Sequence, residues 1–479
     1  MGDGVSHEVF AGLEPHHWGD VRSNLLSSGE RRLEARSYLT DGFGLRRRIE
    51  ALDSGWKRFG EVAEVWQPSR LKGYVVPPGS GLPFLSAGQA FESKPRVRKW
   101  LAKPMVRDWR SRTVDTSMIL LSCSGEVGRV SAVYDEHLNV VLTHDLLRVE
   151  SKNAADYGWL YAYMKTRLFY EIARSSQYGH MIKHLEAEHV NAMPVVLPDA
   201  SARHAVGSDV VAALGMRRQA RFLQNRAYRV YELAVNPSSV KVDESTWSAV
   251  PVRDVFAGRR RLEGQFARAD VRSLEKLVTE SATHGVDTVQ EVTKSVRLGS
   301  RFKRFFGEGG TAYRSASELF DVNAPVTKRI HAGLLGDAQP YLLDSGDIVM
   351  ACSGQTYGLL GRTVILTKAH NGVFGSHDLI RVTPERGRMR TGYLHTALSH
   401  EVYGRPRVVR HASGTSIPHL DPVDIRSVGL PRFSPEIESE IADLAEEAAE
   451  LNRRADELES AAIARAALLV DGVAGVGVD

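Results

Sequence analysis

Near the end of the chain, apolar positions recur with a step that alternates between four and three. Ile437, Ile441, Leu444, Ala448, Leu451, Ala455, Leu458 and Ala462 form this series, a heptad seam along one face of a helix. Ser434 is a suitable N-cap for it, Pro435 suits the first helical position, and Glu436 and Glu438 complement the helix dipole. A looser stripe of Val206, Val210, Ala213, Ala220, Leu223, Ala227, Val230 and Ala234 predicts another long helix. It starts near the possible cap Asp199 and is interrupted by Gly207 and Gly215. Arg217, Arg218, Arg221, Arg226 and Arg229 decorate this helix, and Glu446, Glu447, Glu450, Glu457 and Glu459 decorate the other. One Arg-rich and one Glu-rich helix, each with a narrow seam, are expected to pair as a coiled coil. The alternative is two amphipathic helices, each packed on its own domain. Some 35 residues at about 1.5 Å each make a rod of roughly 50 Å. An antiparallel pair would set two globular modules at its ends about a pseudo-twofold axis.

Outside these helices the pattern is mixed. Ser117 to Ser122 and Asp347 to Ala351 are short apolar runs that read as buried strands. Each leads into a glycine-rich loop, Gly125 to Gly128 in one case and Gly354 through Gly358 to Gly361 in the other. Leu138 to Leu142 and Arg362 to Leu366 read as further strands, followed by strands carrying His144-Asp145-Leu146 and His377-Asp378-Leu379. Trp159 to Met164 and Tyr393 to Leu398 begin helices, and Leu197-Pro198 and Leu430-Pro431 close the two stretches.

These pairs are ordered copies. Arg31-Arg32-Leu33-Glu34 recurs as Arg260-Arg261-Leu262-Glu263, 229 positions on, and Cys123-Ser124-Gly125 recurs as Cys352-Ser353-Gly354 at the same spacing. Ser86-Ala87 likewise matches Ser315-Ala316. His144-Asp145-Leu146 with Arg148-Val149 returns as His377-Asp378-Leu379 with Arg381-Val382, shifted by 233, and Gly179 with His184-Leu185 returns as Gly414 with His419-Leu420, shifted by 235. A shift that drifts by only a few residues points to duplication, hence two similar modules. The expected class is α+β: two tandem duplicated α/β modules separated by two long helices. The expected divisions are an N-terminal extension 1–29, modules 30–198 and 237–433, helices 199–236 and 434–470, and a tail 471–479.

Composition narrows the partners. In 479 residues, 43% apolar and 25% charged residues are ordinary for a globular protein, and no apolar run approaches a membrane span of about 18 residues. Met1-Gly2-Asp3-Gly4 lacks the marks of a secretory signal; Gly2 with Ser6 fits a loose myristoylation pattern but no second anchoring signal follows. With two cysteines at equivalent repeat positions, a reducing cytoplasm is expected. A net charge of +4 permits nucleic-acid binding without demanding it. Its distribution says more. Lys94, Arg96, Arg98, Lys99, Lys103, Arg107, Arg110 and Arg112 crowd one stretch with Trp100 and Trp109; Lys294, Arg297, Arg301, Lys303 and Arg304 form a second cluster, and Arg405, Arg407 and Arg410 a third. Each cluster taken alone is more often a solvated face. Basic clusters in both halves of a duplicated chain favour phosphate contact.

Catalytic signatures are missing. The chain has no Asn-Pro-Pro-Tyr type motif, no Gly-Lys-Ser/Thr phosphate loop, no Cys-x-x-Cys or His-Glu-x-x-His spacing, no Gly-x-Ser-x-Gly elbow, and no Pro-Asp followed by Glu-x-Lys. Cys123 with His144-Asp145, repeated as Cys352 with His377-Asp378, is the one nucleophile-like constellation. His and Asp adjacent in a strand point to opposite faces, and a cysteine ending an apolar strand reads as a small core residue.

Taken together, the duplicated modules closing in Leu-Pro, the Arg-Leu-Glu leading segments, the strand–Ser-Gly loop, the His-Asp-Leu-x-Arg-Val strand, the Gly179 and Gly414 loops and the two long helices resemble a DNA specificity subunit of a type I restriction–modification system. The resemblance covers nearly the whole chain. Residues 1–30 depart from it, although Val9-Phe10-Ala11-Gly12 echoes Val255-Phe256-Ala257-Gly258. It implies a non-catalytic subunit whose modules each read half of a split double-stranded DNA target, with the helices setting the gap. Adenine methyltransferase subunits, two per chain, would dock on the helices, and a restriction subunit would join the larger assembly; S-adenosylmethionine, ATP and magnesium would belong to those partners. Candidate readers are Gln177, Tyr178, His180 and Lys183 in the first copy and Arg410, His411, Ser413, Thr415 and Ser416 in the second, with Gln355, Thr356 and Glu126 as weaker candidates. Arg70, Lys72, Arg96, Arg98, Lys99, Arg301, Lys303 and Arg304 are the candidate phosphate contacts. Two rivals stay open: a stand-alone DNA-binding regulator and a cysteine–histidine enzyme.

Overall fold

Ile119, Leu120 and Leu121 have no solvent exposure, so the strand they form, Met118–Ser122, needs cover on both faces. It lies inside a four-stranded antiparallel sheet ordered Ala63–Trp66, Leu146–Ser151, Met118–Ser122, Val130–Ala132. The protein, in a computed structural model, is described for residues 23, 35–179, 181–236, 238, 245, 249–256, 261 and 263–474. It divides into two compact units, Met1–Gly215 with Asp456–Asp479, and Met216–Ala455. In the second unit Thr293–Leu298, Leu379–Pro384, Ile348–Ala351 and Thr363–Ile365 form a sheet with the same order of strands. Register agrees as well: Leu120 faces Arg148, and Val349 faces Arg381.

Each unit adds a smaller sheet and a ribbon. The small sheet of the first unit is Val75–Val76, Lys99–Leu101, Leu82–Leu85, Val141–Leu142; that of the second is Arg329–Ile330, Phe306–Arg314, Phe374–Gly375. The ribbons pair Trp56–Arg58 with Pro194–Val196, and Val286–Thr288 with Gly429–Pro431. Leu430-Pro431 thus ends a ribbon strand, while Leu197 lies just past one and donates its N–H to Gly55 O at 2.7 Å. Proline is tolerated here because a two-stranded ribbon leaves one side unpaired.

The repeated arginine has a structural explanation. Arg148 and Arg381 are 0% and 1% exposed. Both bond carbonyls. Arg148 donates to the carbonyls of Thr143 at 3.0 Å and Arg112 at 3.2 Å, and Arg381 to those of Tyr341 at 3.0 Å and Leu379 at 3.1 Å. Each guanidinium thus joins a carbonyl close before or at the start of its strand to one from a distant 3-10 segment that ends at Arg112 or Tyr341, and such bonds are the condition for burying it.

Two expectations are corrected. Of Leu138 to Leu142 only Val141–Leu142 is strand; Asp135–His137 is a 3-10 turn held by His137, whose Nδ1 accepts from Tyr134 N at 3.0 Å. The His-Asp pairs lie in turns before their strands, not within them, so their side chains converge: His144 Nε2 is 3.6 Å from Asp145 Oδ1, and His377 stands at the same distance from Asp378.

The long helices are Ala200–Val235 and Pro435–Ala474; the second runs past the expected end at 470. Asp199 caps the first by accepting from Ala202 N at 3.0 Å. Each helix contributes one half to each unit. In the first unit Tyr161 and Lys165 donate to the fully buried Glu459 at 2.7 and 2.6 Å, and Arg465 pairs with Asp209 at 2.6 Å. In the second, Ala220 and Leu223 pack with Ala448 and Leu451, and Arg226 reaches Glu440 at 3.2 Å. Of the expected seam, Ile441, Leu444, Ala448, Leu451, Ala455 and Ala462 are buried, and Ile437 and Leu458 are half-buried. No helix among the described residues is long and apolar enough to cross a membrane. Arg31 to Glu34, Arg260, Leu262, the segment 1–22 with Gly2 and Ser6, and the last five residues lie outside the described residues.

Close backbone approach fixes where the short helices Tyr157–Met164 and Thr391–Ser399 sit. A Cβ on Gly158 would meet Gly207 O at 2.4 Å, and one on Gly392 would meet Ala442 O at 2.4 Å. Gly215 has nothing within 4 Å. Gly392→Ala is therefore expected to lower stability by about 1–3 kcal/mol, whereas Gly215→Ala is expected to raise it by about 1 kcal/mol. Urea midpoints of the two variants check this; equal midpoints would contradict the packing described.

Candidate nucleic-acid interface

In the first unit Ala63–Trp66 and Met118–Ser122 both end, and Leu146–Ser151 begins, at one edge of the main sheet, because the first two are each antiparallel to the third. Four loops therefore gather there. Cys123 leaves the sheet: its N–H donates to Asp145 O at 3.0 Å and its carbonyl accepts from Leu185 N at 2.9 Å. Ser124 Oγ meets His184 Nδ1 at 3.1 Å, and Gly125 N donates to Lys183 O at 3.0 Å. Tyr178 and His184 exchange two backbone hydrogen bonds, at 2.9 and 2.8 Å, and so close a short hairpin. Gly179 takes φ +96° in it, and a Cβ there would meet Ile182 O at 2.4 Å, so this position requires glycine. The loop after Trp66 completes the cluster: Gln67 Nε2 donates to His144 O at 2.8 Å, and Leu71 N lies 3.4 Å from His144 Nδ1.

The second unit builds the same cluster. Cys352 N donates to Asp378 O at 3.0 Å, and Cys352 O accepts from Leu420 N at 2.8 Å. Ser353 Oγ meets His419 Nδ1 at 2.8 Å; Ser413 and His419 close a hairpin in which Gly414 has φ +100°. Asp378 Oδ1 lies 3.2 Å from Ser353 Oγ, on the serine rather than behind the histidine. The group is therefore a brace and not a catalytic triad, which needs the acid on the imidazole.

Electrostatics point the same way. Burial pushes the Cys123 thiol up to about 12 and the Cys352 thiol up to about 11, so neither is a thiolate at neutral pH. His144 and His377 are held below the usual imidazole range, first by burial, against the pull of the neighbouring aspartate. Arg70 adds to this at His144, and Arg304 and Arg301 add to it at His377, which places these loop arginines beside the two turns. Exposed cations around hydroxyls, amides and a braced hairpin can hold phosphates and reach base edges.

The candidate residues fall into two groups. Arg70, Lys72, Arg301, Lys303 and Arg304 are exposed on the loops that flank the clusters. Gln177, Tyr178 and Lys183 are half-buried in the first hairpin, and Ser413, Thr415 and Ser416 are exposed in the second. Gln355 is exposed but donates to Ser416 O at 3.1 Å, and Thr356 gives its carbonyl to Arg405 at 2.9 Å. Glu126 is exposed with Arg129 3.4 Å away. His180 lies outside the described residues. Arg96, Arg98 and Lys99 belong to the small sheet region instead; Arg98 is paired with Glu92 at 2.5 Å.

Arg410 and His411 turn inward. Arg410 has 12% of its side chain exposed, stacks 4.3 Å from the Phe266 ring centroid and donates to Phe266 O at 2.7 Å. Arg407 is fully buried in a two-bond pair with Glu275, both at 2.8 Å, and Arg405 donates to Leu360 O at 2.8 Å. Arg112, in the first basic stretch, is likewise buried against Asp108 at 2.8 Å. Their charge is spent on carboxylates and carbonyls, which a one-dimensional cluster cannot reveal. Arg261 of the repeated leading segment holds the hairpin base, donating to His411 O at 2.7 Å and pairing with Asp424 at 2.8 Å. The Ser–His braces were not anticipated as such, although both residues stood in the repeat.

No family model matches the chain, and no curated protein matches it significantly. Among solved structures it is similar to the S subunit of a type I restriction-modification system from M. genitalium, at 11% identity and a TM-score of 0.32, covering 89% of this chain and 97% of that one. It is also similar to the HsdS subunit from Thermoanaerobacter tengcongensis, at 13% identity and a TM-score of 0.26, covering 88% and 98%. A chain from a study of complex assembly and conformational transition in the type I R-M system matches at 13% identity and a TM-score of 0.27, also covering 88% and 98%.

His411 supplies a pH test of the hairpin base. Burial, then Arg410 and Arg261, bring its imidazole from the usual 6.5 down to about 4. Between those values the folded chain binds fewer protons than the unfolded one, so the stability is complete above 6.5 and lost as pH falls toward 4. The wild-type urea midpoint is expected to drop more steeply across this window than that of His411→Gln; parallel curves would contradict the burial.

Proposed function

We propose that this chain is a non-catalytic DNA specificity subunit of a type I restriction–modification system, recognising a bipartite double-stranded target and bringing methyltransferase subunits to it. One observation carries the reading: the same braced glycine hairpin, beside an arginine-bearing loop, stands at the same edge of an identically ordered sheet in each of two units. Two such sites on one chain suit two half-sites, whose joint reading multiplies specificity without a large interface on either. The sequence repeat supports an origin of the two units by duplication.

The chemistry divides between the parts. Arg70 and Lys72 in one unit, and Arg301, Lys303 and Arg304 in the other, hold phosphates and give salt-dependent affinity. Gln177, Tyr178 and Lys183, with Ser413, Thr415 and Ser416, reach base edges from the hairpins. The long helices serve as an antiparallel coiled-coil spacer. That reading is supported by contacts that ascend one helix and descend the other, Ala220 with Ala448 and Arg226 with Glu440. In this reading the helices also carry two methyltransferase subunits, a restriction subunit joins the assembly, and S-adenosylmethionine, ATP and magnesium belong to those partners. The cytoplasm is the compartment in which it would act.

Exchanging residues 30–198 for another protein's module is expected to change the bases of one half-site and leave the other intact; survival of both half-sites would contradict two independent readers. Neutralising Arg301, Lys303 and Arg304 to Gln is expected to weaken binding to all sequences alike. For every phosphate that is no longer neutralised, the log–log salt slope should become shallower by about 0.9, and an unchanged slope removes that role.

A further inference from the structure

Ile182 and Ile417 occupy the same place in the two hairpins. Each follows a left-handed glycine by three residues and precedes the bracing histidine by two, after Gly179 and before His184, after Gly414 and before His419. Their exposures are nearly equal, 58% and 57%. The rest of each turn differs: Gly179-His180-Met181-Ile182-Lys183 against Gly414-Thr415-Ser416-Ile417-Pro418. A single exposed isoleucine needs no explanation. One kept at the same position in two otherwise divergent loops does, because the folded chain gains little from it: neither belongs to a core cluster, and more than half of each residue's surface stays in water.

The backbone holds both side chains outward. The carbonyls of Ile182 and Ile417 turn in toward their glycines, 2.4 and 3.2 Å from where a Cβ would lie. The hairpins are closed by two backbone bonds each and braced by Ser124–His184 and Ser353–His419. Isoleucine is also stiff at χ1, so it gives up little rotamer freedom on binding. A rigid branched hydrocarbon, presented among hydroxyls and cations, matches one feature of the major groove: the thymine 5-methyl group.

We propose that Ile182 and Ile417 are specificity-determining residues, each contacting a thymine 5-methyl in its own half-site. The proposal rests on the DNA-specificity reading above and deepens it. The test uses the full chain assembled with its methyltransferase, on a duplex carrying the mapped target, with thymines replaced one at a time by deoxyuridine. For the wild type, one replacement in each half-site is expected to weaken binding about fourfold, the worth of one buried methyl group. Ile182→Ala should abolish that sensitivity in one half-site only, Ile417→Ala in the other, and Ile→Val should retain it. Binding to unrelated duplex should stay unchanged in every variant, which also reports correct folding. Uridine sensitivity that persists in both alanine variants, or is absent from the wild type, overturns the proposal while leaving the specificity reading standing. A wild-type complex that prefers no duplex overturns both.

Discussion

Each central strand ends in a cysteine whose backbone leaves the sheet and bonds two other segments. At Cys123 the N–H goes to the turn carrying His144-Asp145 and the carbonyl receives Leu185; at Cys352 the partners are Asp378 and Leu420. These bonds tie a strand end, a turn and a hairpin base to one point. The side chain there must be small and apolar, since it is 1% exposed at Cys123 and 2% at Cys352. A thiol meets that need, and its burial keeps it protonated, so the residue that resembles a nucleophile is a structural node. The Ser–His brace, the glycine turn and the outward isoleucine all depend on that node.

Around it the structure meets its polar demands locally. Buried Arg148 and Arg381 satisfy carbonyls just before their strands, Thr143 O and Gly375 O, and Arg261 does the same at the base of the second hairpin. Such bonds leave few ways for the loops to rearrange, since an unmet buried carbonyl is costly. The exposed side chains of each cluster are thus carried on a braced support. Preorganised contacts of this kind lose less entropy on binding a partner than a mobile loop would.

Much of this was legible in the chain. The heptad series named the buried face of the second long helix, and Ser434 and Pro435 marked where it begins. The ordered repeat selected Cys-Ser-Gly, His-Asp-Leu-x-Arg-Val and Gly…His-Leu, the segments that are hydrogen-bonded to one another in each unit. What stayed hidden depends on partners distant in sequence. Arg405, Arg407 and Arg410 read as a basic patch, yet Glu275, Leu360 O and Phe266 take up their charge inside the fold. Adjacent His and Asp read as a strand with opposed faces, but a turn brings them within 3.6 Å. Local pattern sets elements and faces; it does not say which cation is neutralised by a carboxylate 132 positions away.

In the proposed role the chain leaves chemistry to its partners and contributes the address. Long-read methylation mapping of a host carrying this chain and the proposed methyltransferase partner, compared with a host lacking only this chain, is the decisive measurement. A specificity role predicts that one split methylated motif disappears on deletion, both halves together. Unchanged methylation, with the methyltransferase expressed and active, would contradict it.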